Sequence, residues 1–237
     1  MEMTRGGGMK RMIKKTALLF LAVSMFFLNG NTLAAKGKPL SGQDENGNRW
    51  VYDKKTKTLT FSGTNDLEYY ELNGYNPEPE WFCWKEEAEH LVIASGITGL
   101  PGEEFSDFCK LKTADLPDTV THIGDGVFWG CRELETVRMP ENLTSIGDYA
   151  FDGCSSWKNA WIPEHVRSIG RGAFCRCDGI KEIEIPEKVT QIGKYAFNDC
   201  KNLKCVRLPS HLKVIEEGLF SGCKNLSEIK LPESVKK

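Results

Sequence analysis

An excess of charge of one sign is missing from this 237-residue chain: 31 Lys and Arg stand against 33 Asp and Glu. That balance removes the basic footprint by which a nucleic-acid binder is recognised, so no nucleic-acid partner is expected. Histidine is scarce, with four in the whole chain, and neither His nor Cys shows the close paired spacing of a zinc site. A glycine-rich phosphate loop and a Ser nucleophile elbow are also missing. No metal, cofactor or catalytic residue is therefore assigned, and the chain is not expected to be an enzyme. Nor does any apolar run reach the roughly 20 residues that a bilayer-spanning helix needs.

The apolar run that is present, Ala17 to Leu28, follows the basic residues Lys10, Arg11, Lys14 and Lys15. Small residues come next, in Thr32-Leu33-Ala34-Ala35. Basic, apolar and small-residue parts in that order make a secretory signal, and residues 1–35 are assigned to one. No Cys follows the apolar run directly, which argues against a lipid anchor. Removing residues 1–34 takes away five basic residues and one acidic one, leaving a formal charge near −6. The exported part is expected to be secreted or held on the cell surface, with no membrane span of its own.

What fills the rest is a repeat. Leu100, Ile123, Ile146, Ile169, Ile192 and Ile215 recur every 23 residues without insertion. Phe105, Phe128, Phe151, Phe174, Phe197 and Phe220 keep the same beat, as do Pro117, Pro140, Pro163, Pro186, Pro209 and Pro232. A fixed period of this size marks a solenoid, in which a single unit cannot bury its apolar face and stacked neighbours can. Within Leu134–Pro140, Val137 and Met139 alternate with Thr136 and Arg138, the period of a strand with one buried face. Proline closes each strand because it has no N–H to give. Gly147 and Gly153 stand where the chain must bend tightly. A short helical turn over the Ala-Phe pair is also compatible with the pattern.

Nine cysteines in an exported chain ordinarily suggest disulfides. Five of them, Cys131, Cys154, Cys177, Cys200 and Cys223, form one column. Stacked strands lie about 4.8 Å apart, and side chains in register point the same way, against the torsion of a disulfide. Packed thiols are expected there. Cys83, Cys109, Cys175 and Cys205 lie off the column and are open to one or two bridges or to the reduced state.

The pattern I-G-x-x-A-F-x-G-C-x-x-L-x-x-V-x-L-P-x-x-V, read in Ile192 to Leu212 and its sister copies, resembles the BspA-type leucine-rich repeat of bacterial secreted and surface proteins. The resemblance covers residues 100–237, with repeats starting at 100, 123, 146, 169, 192 and 215. It implies a mainly β solenoid, a right-handed leucine-rich-repeat coil with a small N-terminal β-hairpin cap. Its implied partners are extracellular proteins or glycans, host matrix and cell surfaces among them. Residues 49–99 are assigned to the cap: Trp50–Tyr52 and Thr58–Gly63 read as a hairpin. Leu91 and Ile93 lie one period before Ala114 and Leu116, as a degenerate first coil. Trp81 and Trp84 read as a hydrophobic lid over that coil. Residues 36–48, polar and rich in glycine, read as a linker.

Solenoids bind through the surface that their successive strands build. Two outward columns follow from the register, one with Thr136, Asn159 and Glu182, the other with Arg138, Trp161, Glu184 and Arg207. Trp161 is a large aromatic at a position expected to face solvent, and Trp and Arg are enriched at binding hot spots. Trp157 takes the place of Leu134 and Leu203 and is assigned to the core. Two functional readings stay open: an adhesion or recognition module using this face, and a structural spacer or self-assembling protein using the uncapped last coil. A non-catalytic part of a larger enzyme is the remaining alternative.

Overall fold

Each 23-residue unit closes on the one before it because its backbone groups find partners one period away. Gly147 N–H donates to Ile123 O at 2.8 Å, and the same 2.8 Å bond joins Gly170 to Ile146 and Gly193 to Ile169. The computed structural model describes residues 38–69 and 78–235. The expected signal, residues 1–35, lies outside the described residues.

The chain enters through β1 (Ser41–Gln43), β2 (Arg49–Asp53) and β3 (Thr58–Ser62), which pair antiparallel in order. A 3-10 turn, Glu80–Trp84, precedes β4 (His90–Ile93), and β4 pairs parallel to β3 with Leu59 opposite Leu91. The solenoid then builds two ladders from short strands, most coils giving one strand to each. The first ladder continues the hairpin sheet through β6 (Thr113–Asp115) and β8 (Thr136–Arg138), then resumes in a separate sheet of β11 (Glu182–Glu184), β13 (Cys205–Arg207) and β14 (Glu228–Lys230). The second ladder is a five-stranded parallel sheet of β5 (Gly99–Leu100), β7 (His122–Ile123), β9 (Ser145–Ile146), β10 (Ser168–Ile169) and β12 (Gln191–Ile192). This is the β-solenoid that the repeat implies. The Ala-Phe segment forms hydrogen-bonded turns such as Asp152 N to Tyr149 O, 3.0 Å, in place of a helical turn. No helix among the described residues is long and apolar enough to cross a membrane.

Between the ladders runs a core of stacked side chains. The Phe105, Phe128, Phe151, Phe174, Phe197 and Phe220 rings follow one another with centroids 5.2–5.9 Å apart and planes within 21° of parallel. Each such pair adds about 0.5–1.5 kcal/mol beyond its buried area. Beside it the Cys column is reduced, and no disulfide links the described cysteines. Each thiol donates to a Phe carbonyl of the preceding coil, Cys154 to Phe128 O at 3.2 Å and Cys177 to Phe151 O at 3.1 Å. Burial pushes the Cys154 and Cys177 thiols far up from their ordinary value, which makes them packing groups and not nucleophiles.

The two glycines expected at bends are required for different reasons. A Cβ on Gly147 would lie 2.4 Å from the Gly124 carbonyl carbon, so the preceding coil approaches too closely for any side chain. Gly153 has φ +80°, a left-handed conformation that costs an L-residue.

At the N-terminal end the aromatic lid is buried. Trp81 meets Phe61 edge-on at 5.2 Å, and Trp84 stacks on Tyr52 at 4.1 Å. The indole N–H of Trp81 donates to Glu104 O and that of Trp84 to Pro39 O. Residues 41–48 correct the linker expectation. They form β1 and a turn in which the Asp44 carboxylate accepts from Asn48 N at 2.7 Å, Asn48 Nδ2 at 2.9 Å and Glu68 N at 3.1 Å. Their polarity is that of side chains that satisfy local backbone, which composition does not separate from a solvated linker.

Candidate functional site

The outward rows of the first ladder come from strands in strict register. Thr113 lies opposite Thr136 and Asp115 opposite Arg138; farther along, Glu182, Cys205 and Glu228 align, as do Glu184, Arg207 and Lys230. Alternation then sends Val137, Ile183 and Val206 inward and leaves the named residues on the outer face.

That face is not continuous. Asn159–Trp161 forms no strand, and among the described residues no ladder hydrogen bond joins it to β8 or β11. Its coil carries Ala160 where neighbours have Val137, Ile183 and Val206, so the inward row loses the branched side chain that holds a strand in place. The same coil carries Trp157, packed against Phe151 at 4.9 Å and Phe174 at 6.2 Å, where its neighbours have Leu134 and Ile180. The larger indole inside and the smaller alanine beside it account for the break. The second ladder runs through this coil unbroken.

Trp161 sits at the break, 44% exposed, with no ring or cation contact among the described residues. Arg138 is tied down: its guanidinium donates to Leu116 O and to Asp118 Oδ2 at 3.0 Å, with Asp115 3.7 Å away. Burial raises the Asp115 carboxyl above its ordinary value, and Arg138 opposes that shift. Beyond the break, Arg207 and Glu184 lie 3.6 Å apart with side chains 74% and 72% exposed, a solvated pair worth little to the fold. Thr136, Asn159 and Glu182 are exposed on the companion row. The structure thus places Thr136 and Arg138 on one sheet, Glu182, Glu184 and Arg207 on another, and Asn159 and Trp161 between the two.

A second surface was not assigned from the sequence. Along the second ladder runs a trench of about 920 Å³, floored by Gly124, Gly147, Gly170 and Gly193. Its lining also includes His122, Ser145, Ser168 and Gln191, and the charged Asp125, Asp148, Arg171 and Lys194. Arg171 lies between two tyrosines, its guanidinium carbon 6.0 Å from the Tyr149 ring and 5.7 Å from the Tyr195 ring. Tyr195 OH donates to Glu217 at 2.7 Å, and this bond with Lys194 lowers the Glu217 carboxyl below its ordinary value. The sequence signal for the trench was the glycine column itself, which reads as a series of bends unless the flanking columns are followed with it.

A family model described as the BspA-type leucine-rich repeat region matches the chain in six copies, over residues 78–204 and 144–237. Among solved structures, a leucine-rich repeat protein of T. pallidum is 27% identical, with a TM-score of 0.61, over 78% of this chain and 79% of that one. A leucine-rich repeat protein from Bacteroides ovatus is 32% identical, with a TM-score of 0.59, over 80% of this chain. The chain spans about half of that second protein, 47% of its length. No curated protein matches it.

Proposed function

Because the chain belongs to the BspA-type leucine-rich-repeat family, we propose that it is an exported recognition module, secreted or held on the cell surface. It binds an extracellular protein or glycan through the outer face of the first ladder, around Trp161. The observation that carries this reading is the exposed Trp161 at the break between the two sheets, beside the solvated Glu184–Arg207 pair. An indole left 44% exposed, with no ring or cation contact among the described residues, keeps a large apolar surface to bury against a partner, as hot-spot aromatics do. The neighbouring charges supply orientation at the rim.

The test is a screen of the purified protein against glycan and matrix-protein arrays, followed by affinity measurement on any ligand found. Trp161→Ala is expected to weaken binding about 30-fold, the loss typical of a hot-spot aromatic. Arg207→Ala is expected to slow association and reduce its salt dependence. If both variants bind as the parent does while Arg171→Ala or Lys194→Ala abolishes binding, the recognition face is the trench and this assignment is wrong.

A further inference from the structure

The coil that interrupts the first ladder leaves more than an exposed ring. None of Lys158, Asn159, Ala160 and Trp161 makes a hydrogen bond with another described residue, through backbone or side chain. In the coils on either side the corresponding backbone is laddered, Glu135 N to Lys112 O at 2.9 Å and Lys204 N to Lys181 O at 2.7 Å. Backbone amides and carbonyls that no protein group answers are met by water. The second ladder holds the same coil in place, Ser168 standing opposite both Ser145 and Gln191. Asn159–Trp161 therefore fills the space between β8 and β11, and no added strand fits there. On the two outward rows from β6 to β13, Trp161 is the lone large apolar residue exposed among the described residues. The 23-residue register surrounds it with exposed polar groups: Thr136, Asn159 and Glu182 on the companion row, Arg138 and Glu184 on its own.

We infer that the ligand of this face is an uncharged oligosaccharide, one pyranose ring lying on the Trp161 indole. Its hydroxyls bond to Asn159, Glu182 and Glu184 and to the open backbone of the interrupted coil. The inference rests on the recognition face proposed above and names its ligand class. A pyranose has a face of C–H groups that covers an aromatic ring and a rim of hydroxyls. Each hydroxyl both donates and accepts, so it can answer an amide N–H and a carbonyl alike. Sugar hydroxyls replace the water on those groups without losing its hydrogen bonds.

A protein partner asks for the reverse. The centre of a protein interface is depleted of charged residues. Here Glu184 and Arg207, with side chains 72% and 74% exposed, belong to the same row as the indole and would have to be desolvated. A single sugar ring covers the indole and leaves that pair wet. The charge of the face then selects among sugars. Arg138 is already answered by Asp118 and Asp115, so the two rows beside the indole hold Glu182 and Glu184 against Arg207. A sulfated, sialylated or uronate-bearing chain would meet an excess of its own sign.

The test titrates the full chain with neutral oligosaccharides of glucose, galactose, mannose and N-acetylhexosamine units, each beside a sulfated or sialylated counterpart. Tryptophan emission is read with the heat of binding, since Trp50, Trp81, Trp84 and Trp157 are buried and Trp161 is open to a ligand. A neutral chain is expected to bind, to shift the emission and to keep its affinity as salt is raised. Trp161→Ala is expected to weaken it on the order of tenfold or more, whereas Trp161→Tyr, which keeps a flat ring, retains most of the affinity. Asn159→Ala and Glu184→Ala are each expected to cost roughly three- to tenfold, the loss of one hydrogen bond. Circular dichroism verifies that the variants keep the parent fold. No binding by any neutral chain at millimolar concentration, tighter binding of the charged counterpart, or equal affinity after Trp161→Ala would each overturn the inference. A protein ligand that needs Trp161 while no sugar binds would overturn the ligand class and leave the recognition face standing, so the two failures are told apart.

Discussion

Substituting Gly172 by alanine isolates how one coil constrains the next. Gly172 has φ +59°, and a Cβ there would lie 2.5 Å from Cε1 and 2.6 Å from Cδ1 of Tyr149. The same column holds tyrosine one coil earlier and one coil later, Tyr149 at φ +54° and Tyr195 at φ +60°, so the left-handed conformation is compatible with a side chain. Two costs are then separable. The left-handed backbone costs an L-residue about 1–2 kcal/mol. Displacing the Tyr149 ring from a packed position costs about 1–3 kcal/mol more, and the ring also leaves the Arg171 guanidinium. Gly172→Ala is therefore expected to lose about 2–5 kcal/mol in the parent background. In a Tyr149→Ala background the same change is expected to lose the backbone part alone, about 1–2 kcal/mol. Urea unfolding followed by circular dichroism, with unchanged m-values, measures both arms of this double-mutant cycle. Equal losses in the two backgrounds would refute the reasoning, since the ring would then not be the obstacle.

Two further expectations follow from groups buried in the stack. Glu104 is fully buried, its Oε1 accepting from Gly102 N at 2.7 Å, and burial raises its carboxyl well above the ordinary value. A raised folded pKa means that the group's contribution is fully present below the unfolded value, near 4.3, and is lost as pH rises through the folded value. Glu104→Gln is expected to gain stability relative to the parent as pH rises, by up to about 1.4 kcal/mol per pH unit; a difference that is flat between pH 5 and 9 contradicts this. For the cysteines, a reducing agent is expected to leave the melting midpoint unchanged, because all nine are free thiols and no disulfide holds the described coils together. A lower midpoint in reductant would show a bridge that holds the fold.

The candidate site illustrates why some features are legible in the sequence and others are not. The rows containing Arg138, Glu184 and Arg207 were readable because strand alternation has a period of two and the repeat has no insertions, so position alone fixes the side that a residue faces. That Arg138 is held by Leu116 O and Asp118 was not readable, because those partners are set by the distance between coils. The break at Asn159–Trp161 left a trace in Ala160 and Trp157, two residues of unusual size for their columns, but size alone does not reveal whether a neighbouring coil adapts or lets go. The turn at Asp44–Asn48 was misread for a related reason: polar side chains that bond to local backbone have the same composition as those that bond to water.

By itself the sequence determined the solenoid and the contents of its core. An apolar column recurring every 23 residues can be buried only by stacking, and that necessity involves no distances. The tertiary structure decided what depends on distances: that the first ladder parts at one coil, that Gly147 is needed for close approach and Gly153 for its dihedral, and that the glycine column floors a trench. It also decided that Ile229 and Leu231, identical in pattern to their buried sisters, stand exposed. A residue's column gives the direction in which it points, and burial depends on what the next coil places against it.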